Sequence, residues 1–189
     1  MTISDPNQAR VFGFREVLSL DTRHRFRLPD TLAANLYQEQ GRVWQATNLP
    51  RAAVQRLAFY FVPGTKRRIF LYPASNIELA IERFEYPSPG QDPDELRAAR
   101  DYFYSAMSFV EADRQNRLQI PEHLLEHAGL EGERQIVLMS HNYWLSIAAT
   151  SVDRDICTRG KEALEKVGPN VLDPVQFRPQ VSTEGGAER

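Results

Sequence analysis

The sequence predicts a mixed α+β domain, β-dominated and barrel-like, made of two pseudo-symmetric halves. Three observations predict it: a ten-residue motif that occurs twice, β-like runs around each copy, and a helix-spaced apolar stretch after each. The first copy reads Leu20-Asp21-Thr22-Arg23-His24-Arg25-Phe26-Arg27-Leu28-Pro29. The second reads Ala112-Asp113-Arg114-Gln115-Asn116-Arg117-Leu118-Gln119-Ile120-Pro121. The Asp, Arg, aliphatic and Pro positions all recur 92 residues apart.

Each element follows from local chemistry. Val11–Leu20 and Met107–Ala112 are β-like runs that lead into the motifs. Each Asp-x-x-x-Arg then sits where the chain must turn back, and Phe26–Leu28 and Leu118–Ile120 read as the return strands. Pro29 and Pro121 stop those strands and suit the first turn of a helix. Leu32, Ala33 and Leu36 line one face of the first helix, and Leu124, Leu125 and Ala128 that of the second. Gly41 and Gly129 are the expected helix ends. Strands return at Val43–Thr47 and Ile136–Met139, and the last strands fall at Ile69–Tyr72 and Tyr143–Ala148. Each unit therefore reads as hairpin, helix, hairpin. An insertion at 49–67 belongs to the first copy alone. A second alignment instead pairs Ala58–Val62 as a strand and moves the insertion earlier.

The expected organisation is an N-terminal segment, 1–10; a first unit, 11–85; a linker, 86–93, with three prolines; a second unit, 94–152; and a C-terminal helix and partly disordered tail, 153–189. Helices are expected over Asn76–Phe84, Asp94–Tyr104 and Asp153–Lys166.

Composition bounds the function. The chain has 189 residues, 42% hydrophobic and 25% charged, which excludes wholesale disorder. No run approaches the length of a membrane span, so no membrane partner is expected. Met1–Arg10 carries no apolar signal-peptide core and Cys157 stands alone, which together point to a cytosolic compartment. The formal net charge of −2 argues against coating nucleic acid through global charge, yet Arg10–Leu28 holds five arginines against Glu16 and Asp21.

The paired Asp-x-x-x-Arg motifs, each followed by the aliphatic-Pro step, resemble the MraZ family within the wider AbrB/SpoVT-like group. So do Ile69-Phe70-Leu71-Tyr72-Pro73, Ser105-Ala106 and His127-Ala128-Gly129-Leu130. The resemblance covers roughly residues 12–152. It implies a tandem pseudo-twofold pair of swapped-hairpin units and a homo-oligomeric ring. It also implies regulation of transcription by binding double-stranded DNA at promoter repeats upstream of the division and cell-wall gene cluster, in the nucleoid-associated cytoplasm. No cofactor, metal or catalysis is implied.

The DNA-binding candidates are Arg15, Arg23, Arg25, Arg27, Arg114 and Arg117, whose guanidinium groups fork onto phosphates or guanine edges. Asp21 and Asp113 are candidate loop organisers, bonding the loop backbone or the motif arginine. The bland reading is that Asp-x-x-x-Arg pairs merely close turns as internal salt bridges. The family pattern commonly places glycine just before the motif Arg, where this chain has His24 and Asn116. Glycine there signals a backbone with φ > 0, which Asn tolerates better than His.

Four other features have simpler readings. His123-Leu124-Leu125-Glu126-His127 matches the inverted zinc-peptidase pattern, but no third ligand motif accompanies it. Cys157 reads as inert packing. Trp44 and Trp144, placed in paired strands, read as core. Lys66-Arg67-Arg68 reads as a solvated turn tip. The alternative functions are an oligomeric interaction module of the same family that has lost DNA binding, an AbrB-like antitoxin, and a zinc peptidase.

Overall fold

The computed structural model describes residues 13–47, 56–85 and 92–167. It divides into two units, Met1–Asp153 and Arg154–Arg189. The expected tail at Val181–Arg189 and most of the 86–93 linker lie outside the described residues.

The first unit is mixed α+β around antiparallel sheet. Its strands are β1 (Arg15–Ser19), β2 (Arg25–Arg27), β3 (Ala58–Gly64), β4 (Arg68–Pro73), β5 (Ser108–Glu111), β6 (Arg117–Gln119), β7 (Gln135–His141) and β8 (Trp144–Ala149). The helices are α1 (Asp30–Thr47), α2 (Glu78–Glu85), α3 (Pro93–Ala106), α4 (Glu122–Ala128) and α5 (Thr150–Val167), which runs on into the second unit. Helical residues outnumber strand residues in these elements, so the domain is not β-dominated by content, although the sheet organises its core.

Six strands form one sheet in the order β1-β7-β8-β4-β3-β5, and β2 and β6 form a separate ribbon. Exchanging β1 with β5, β3 with β7 and β4 with β8 reverses the six-strand order, so the arrangement has a pseudo-twofold. The strands flanking each motif do not pair with each other, which corrects the local hairpin expected there. β1 pairs with β7 and β5 with β3, while β2 pairs with β6. Each loop turns its return strand out of the large sheet, and there it pairs with the equivalent strand of the other copy.

Alternation along the strands gives the large sheet two buried faces. Ile69, Leu71, Ile136, Leu138, Leu145 and Ile147 lie on one, in the main core with Phe26, Leu28, Leu118 and Ile120. Val62, Phe70, Tyr72 and Trp144 lie on the other, packed with Ala80 of α2 and Phe103 of α3. Burying side chains such as Phe26 and Leu118 stabilises by roughly 1.5–3 kcal/mol each.

Two local expectations fail in the first copy. α1 continues through Gly41 to Thr47, so Val43–Thr47 is helix and not strand. A glycine within a helix costs only about 1 kcal/mol, and strong helix formers such as Gln38, Glu39 and Gln40 surround this one. Trp44 therefore belongs to α1. The strand expected there is β3, so the alignment that pairs Ala58–Val62 holds. In the second copy Gly129 does end α4, in the left-handed region at φ 62°. The guanidinium of Arg67 packs where a side chain at Gly129 would stand, which docks the β3–β4 turn on the helix end. The helices near 78–85, 93–106 and 150–167 match those read from the sequence.

Candidate nucleic-acid interface

The two motif loops are built alike. Asp21 Oδ1 accepts from the backbone N–H of Arg23 at 2.9 Å and of Arg25 at 3.0 Å. Asp113 Oδ1 accepts from Gln115 at 2.8 Å and Arg117 at 3.0 Å. The other carboxylate oxygen holds the motif arginine. Arg25 Nε donates to Asp21 Oδ2 at 2.8 Å, with Nη2 2.7 Å away, and Arg117 Nε donates to Asp113 Oδ2 at 2.7 Å. One aspartate thus closes the turn and fixes the guanidinium in both loops. The side-chain and backbone hydrogen bonds from Arg25 hold the Asp21 carboxyl down to about 2. At Asp113 desolvation is the largest single influence and acts upward, but the backbone and side-chain bonds from Arg117 and the backbone bond from Gln115 together outweigh it and keep the carboxyl below its ordinary value.

The residue before each motif arginine has positive φ, 54° at His24 and 56° at Asn116. This is the conformation that glycine would adopt freely, and here it has a use. It aims the His24 carbonyl at the N–H of Ile120, 3.0 Å away, and the Asn116 carbonyl at the N–H of Leu28, 2.9 Å away. Each loop is therefore bonded to the return strand of the other copy. Asn116 is held further by Tyr37 of α1, whose hydroxyl donates to Asn116 Oδ1 at 3.0 Å.

These bonds extend the β2–β6 ribbon, in which Arg25 lies opposite Gln119, Phe26 opposite Leu118, and Arg27 opposite Arg117. Phe26 and Leu118 point into the core. Residues two apart share a face, so Arg25, Arg27, Arg117 and Gln119 all point outward. The two motifs, 92 residues apart, form one composite platform instead of two separate loops.

The candidate arginines are placed differently on it. Arg25 and Arg117 are partly exposed and keep Nη1 without a partner among the described residues. Arg27 is exposed and pairs with the exposed Asp30 at 2.7 Å. Arg23 and Arg114 are exposed at the loop tips and form no ion pair among the described residues. Arg15 is not brought to the platform. It stands at the far end of β1, about 20 Å along the strand from Asp21 at ~3.3 Å per residue, and its guanidinium pairs with the buried Asp153.

Sequence reasoning missed Arg134. The N–H of Leu20 donates to its carbonyl at 2.9 Å, which puts this exposed residue beside the first motif. An open hollow of about 490 Å³ adjoins it, lined by Ser19, Leu20, Glu133, Arg134, Gln135 and Thr150.

The simpler readings of the other features also have structural content. His123 Nε2 lies 2.9 Å from the carbonyl of Ala106, and His127 Nε2 lies 2.9 Å from that of Gly64. His127 Nδ1 faces the Tyr102 hydroxyl at 3.0 Å. Both histidines tie α4 to neighbouring backbone, and among the described residues no group of three potential ligands gathers. Trp144 stacks between Tyr72 and His141, with ring centres 5.8 and 5.5 Å away. Arg68 lies over the Phe70 ring. Among the described residues no helix is long and apolar enough to cross a membrane.

No family model matches the chain. Over 137 residues it is 26% identical to the transcriptional regulator MraZ of Syntrophomonas wolfei, covering 71% of this chain and 90% of that protein. Over 99 residues it is 29% identical to the transcriptional regulator MraZ of Heliobacterium modesticaldum, covering 52% of this chain and 66% of that one. With the duplicated motif and the antiparallel fold, these similarities support assignment of the chain to the MraZ family.

Proposed function

We propose that this chain is a non-catalytic, sequence-specific DNA-binding regulator of transcription. Its two swapped-hairpin units, 11–85 and 94–152, would present the β2–β6 platform to double-stranded DNA. The observation that carries the reading is that platform: two motif arginines, each held by its own aspartate, on the outer face of one ribbon. A guanidinium already fixed in orientation loses little entropy on binding, and its Nη1 edge remains to donate to a phosphate or a guanine. Arg23, Arg27 and Arg114 add charge around it. The formal net charge of −2 does not oppose this, because the cations are gathered where phosphate would lie. By the same reading the protein acts in the nucleoid-associated cytoplasm, on promoter repeats of the division and cell-wall cluster. It does so as a homo-oligomeric ring that engages several platforms at once.

The test measures melting temperature and DNA affinity side by side for Arg25→Ala and Arg117→Ala, using duplex from upstream of the protein's own gene. Each variant should lose about 1–3 kcal/mol of binding per engaged contact while keeping its fold. Wild-type protein with no preference for that duplex over random DNA at physiological salt would refute the reading and favour the interaction module.

A further inference from the structure

The six-stranded sheet ends in two open edges, and the two edges match. Its outer strands are β1 and β5, and every neighbouring pair between them is antiparallel, so β1 and β5 run in opposite directions. Among the described residues neither has a partner strand on its outer side. The hydrogen bonds fix which residues turn outward. The N–H of Ser140 donates to the Phe14 carbonyl and that of Leu20 to the Arg134 carbonyl, both at 2.9 Å, so Phe14, Glu16, Leu18 and Leu20 bond to β7. By alternation Arg15, Val17 and Ser19 turn their backbone N–H and C=O groups to the open side. On β5 the N–H of Ala112 donates to the Leu57 carbonyl at 2.8 Å, so Ser108 and Val110 bond to β3 while Phe109 and Glu111 turn outward. The apolar residues among these lie in water: Val17 is 49% exposed and Phe109 54%. They occupy equivalent places in the two copies, 92 residues apart. Native edge strands are ordinarily blunted by a charge or a proline, yet valine and phenylalanine stand at these two positions.

We propose that β1 of one copy adds to β5 of the next, antiparallel and with Val17 opposite Phe109, so that the large sheet runs on from chain to chain. This deepens the homo-oligomer reading and rests on it. Direction, face and charge together select a second copy of this chain and this register. A copy set beside β5 in the same orientation brings its β1 antiparallel to that strand. Leu18 and Val110 pack against the main core, so Val17 and Phe109 share the opposite face, where Phe109 already meets the Tyr60 ring edge-on with ring centres 5.2 Å apart. With Val17 opposite Phe109, Arg15 falls opposite Glu111. Arg15 is exposed while it holds Asp153, and Glu111 is exposed and forms no ion pair among the described residues. An apolar pair and an opposite-charge pair on one face both favour strand pairing. Pairing of like edges offers less: centred on Val17, β1 on β1 sets Arg15 against Ser19, and centred on Phe109, β5 on β5 sets Glu111 against Met107. The joint is therefore heterologous, and such a joint does not stop at two chains but closes into a ring or runs on.

The experiment uses the full chain without DNA. Sedimentation velocity at micromolar concentration follows wild type, Val17→Asp, Phe109→Asp and an equal mixture of the two variants, with urea midpoints taken in parallel. Wild type should sediment as a species larger than a dimer. Each variant should stay monomeric at concentrations about tenfold above those at which wild type assembles, because an aspartate in the joint is desolvated without a partner. The mixture should form a one-to-one heterodimer and nothing larger, since one intact β1 edge then meets one intact β5 edge. A mixture that stays monomeric, or a single variant that assembles like wild type, overturns the joint. So does a wild type that is a monomer or that stops at a dimer. Should an aspartate variant lower the urea midpoint, Glu111→Lys decides, because it keeps both apolar residues and sets a cation against Arg15. It should weaken assembly several-fold, and assembly as strong as wild type overturns the register. A wild type that assembles as expected but has no preference for the duplex upstream of its own gene refutes the DNA-binding reading and leaves the joint standing.

Discussion

Replacing His24 and Asn116 by glycine, one at a time, should have opposite effects on stability. Both residues have positive φ, 54° and 56°. A non-glycine residue in this region costs about 1–2 kcal/mol, less for asparagine than for bulkier side chains. Glycine removes that cost but adds about 0.4–1 kcal/mol of unfolded-chain entropy. The His24 side chain forms no hydrogen bond among the described residues, so His24→Gly should gain about 0.5–1 kcal/mol. Asn116 accepts from Tyr37, a bond worth about 1 kcal/mol net, and its strain is smaller. Asn116→Gly should therefore lose about 1 kcal/mol. For a chain of this size 1 kcal/mol moves the melting temperature by roughly 2–4 °C, so the two variants should lie about 3–8 °C apart. Thermal unfolding followed by circular dichroism reads this directly. Equal shifts in the two variants, or a loss above about 2 °C in His24→Gly, would refute the account of the loops.

Acid sensitivity is a second expectation. The Asp21 carboxyl is depressed to about 2, so its contribution is complete above the ordinary aspartate range and is lost as pH falls through about 2. Urea midpoints taken from pH about 5 down to about 2 should flatten in Asp21→Asn relative to wild type, and an unchanged pH dependence would discard the Asp21 contribution. A third expectation concerns α4. His127→Ala strips partners from the Gly64 carbonyl and the Tyr102 hydroxyl and should cost about 1–2 kcal/mol. Added zinc or a chelator should leave the wild-type melt unmoved. A zinc-dependent rise that disappears in the variant would reinstate the metal reading.

The motif was legible because its chemistry is local. Asp21 and Asp113 bond within four residues of themselves, and the glycine-like positions at 24 and 116 are set by the same turn. α4 and its end at Gly129 were legible for the same reason. What failed was non-local. Nothing in Arg15–Ser19 states that its partner is Gln135–His141, because a strand's alternation specifies which face is buried and not which edge it meets. Gly41 misled because glycine permits a helix end without requiring one, and α1 passes through it. Arg134 was invisible because its place comes from a backbone bond to Leu20, 114 residues earlier.

The same division between local and non-local shapes the platform. Each aspartate fixes its loop and its arginine without help from the other copy, so guanidinium orientation is settled within five residues. The relative position of the two arginines is settled by the ribbon, through the Phe26–Leu118 rung and the carbonyls of His24 and Asn116. Those carbonyls point across the ribbon only while φ is positive, so the residue that departs from glycine in each motif also sets the spacing between motifs. Substitution at position 24 or 116 therefore acts at two levels, on strain within one loop and on the distance between two guanidinium groups. Substitution of Arg27 or Gln119 acts at neither, since their side chains point outward from a ribbon that the buried rung holds in place. The outward positions are thus where the two strands of the ribbon can differ in chemistry at little cost to the fold: β2 carries Arg25 and Arg27 there, and β6 carries Arg117 and Gln119.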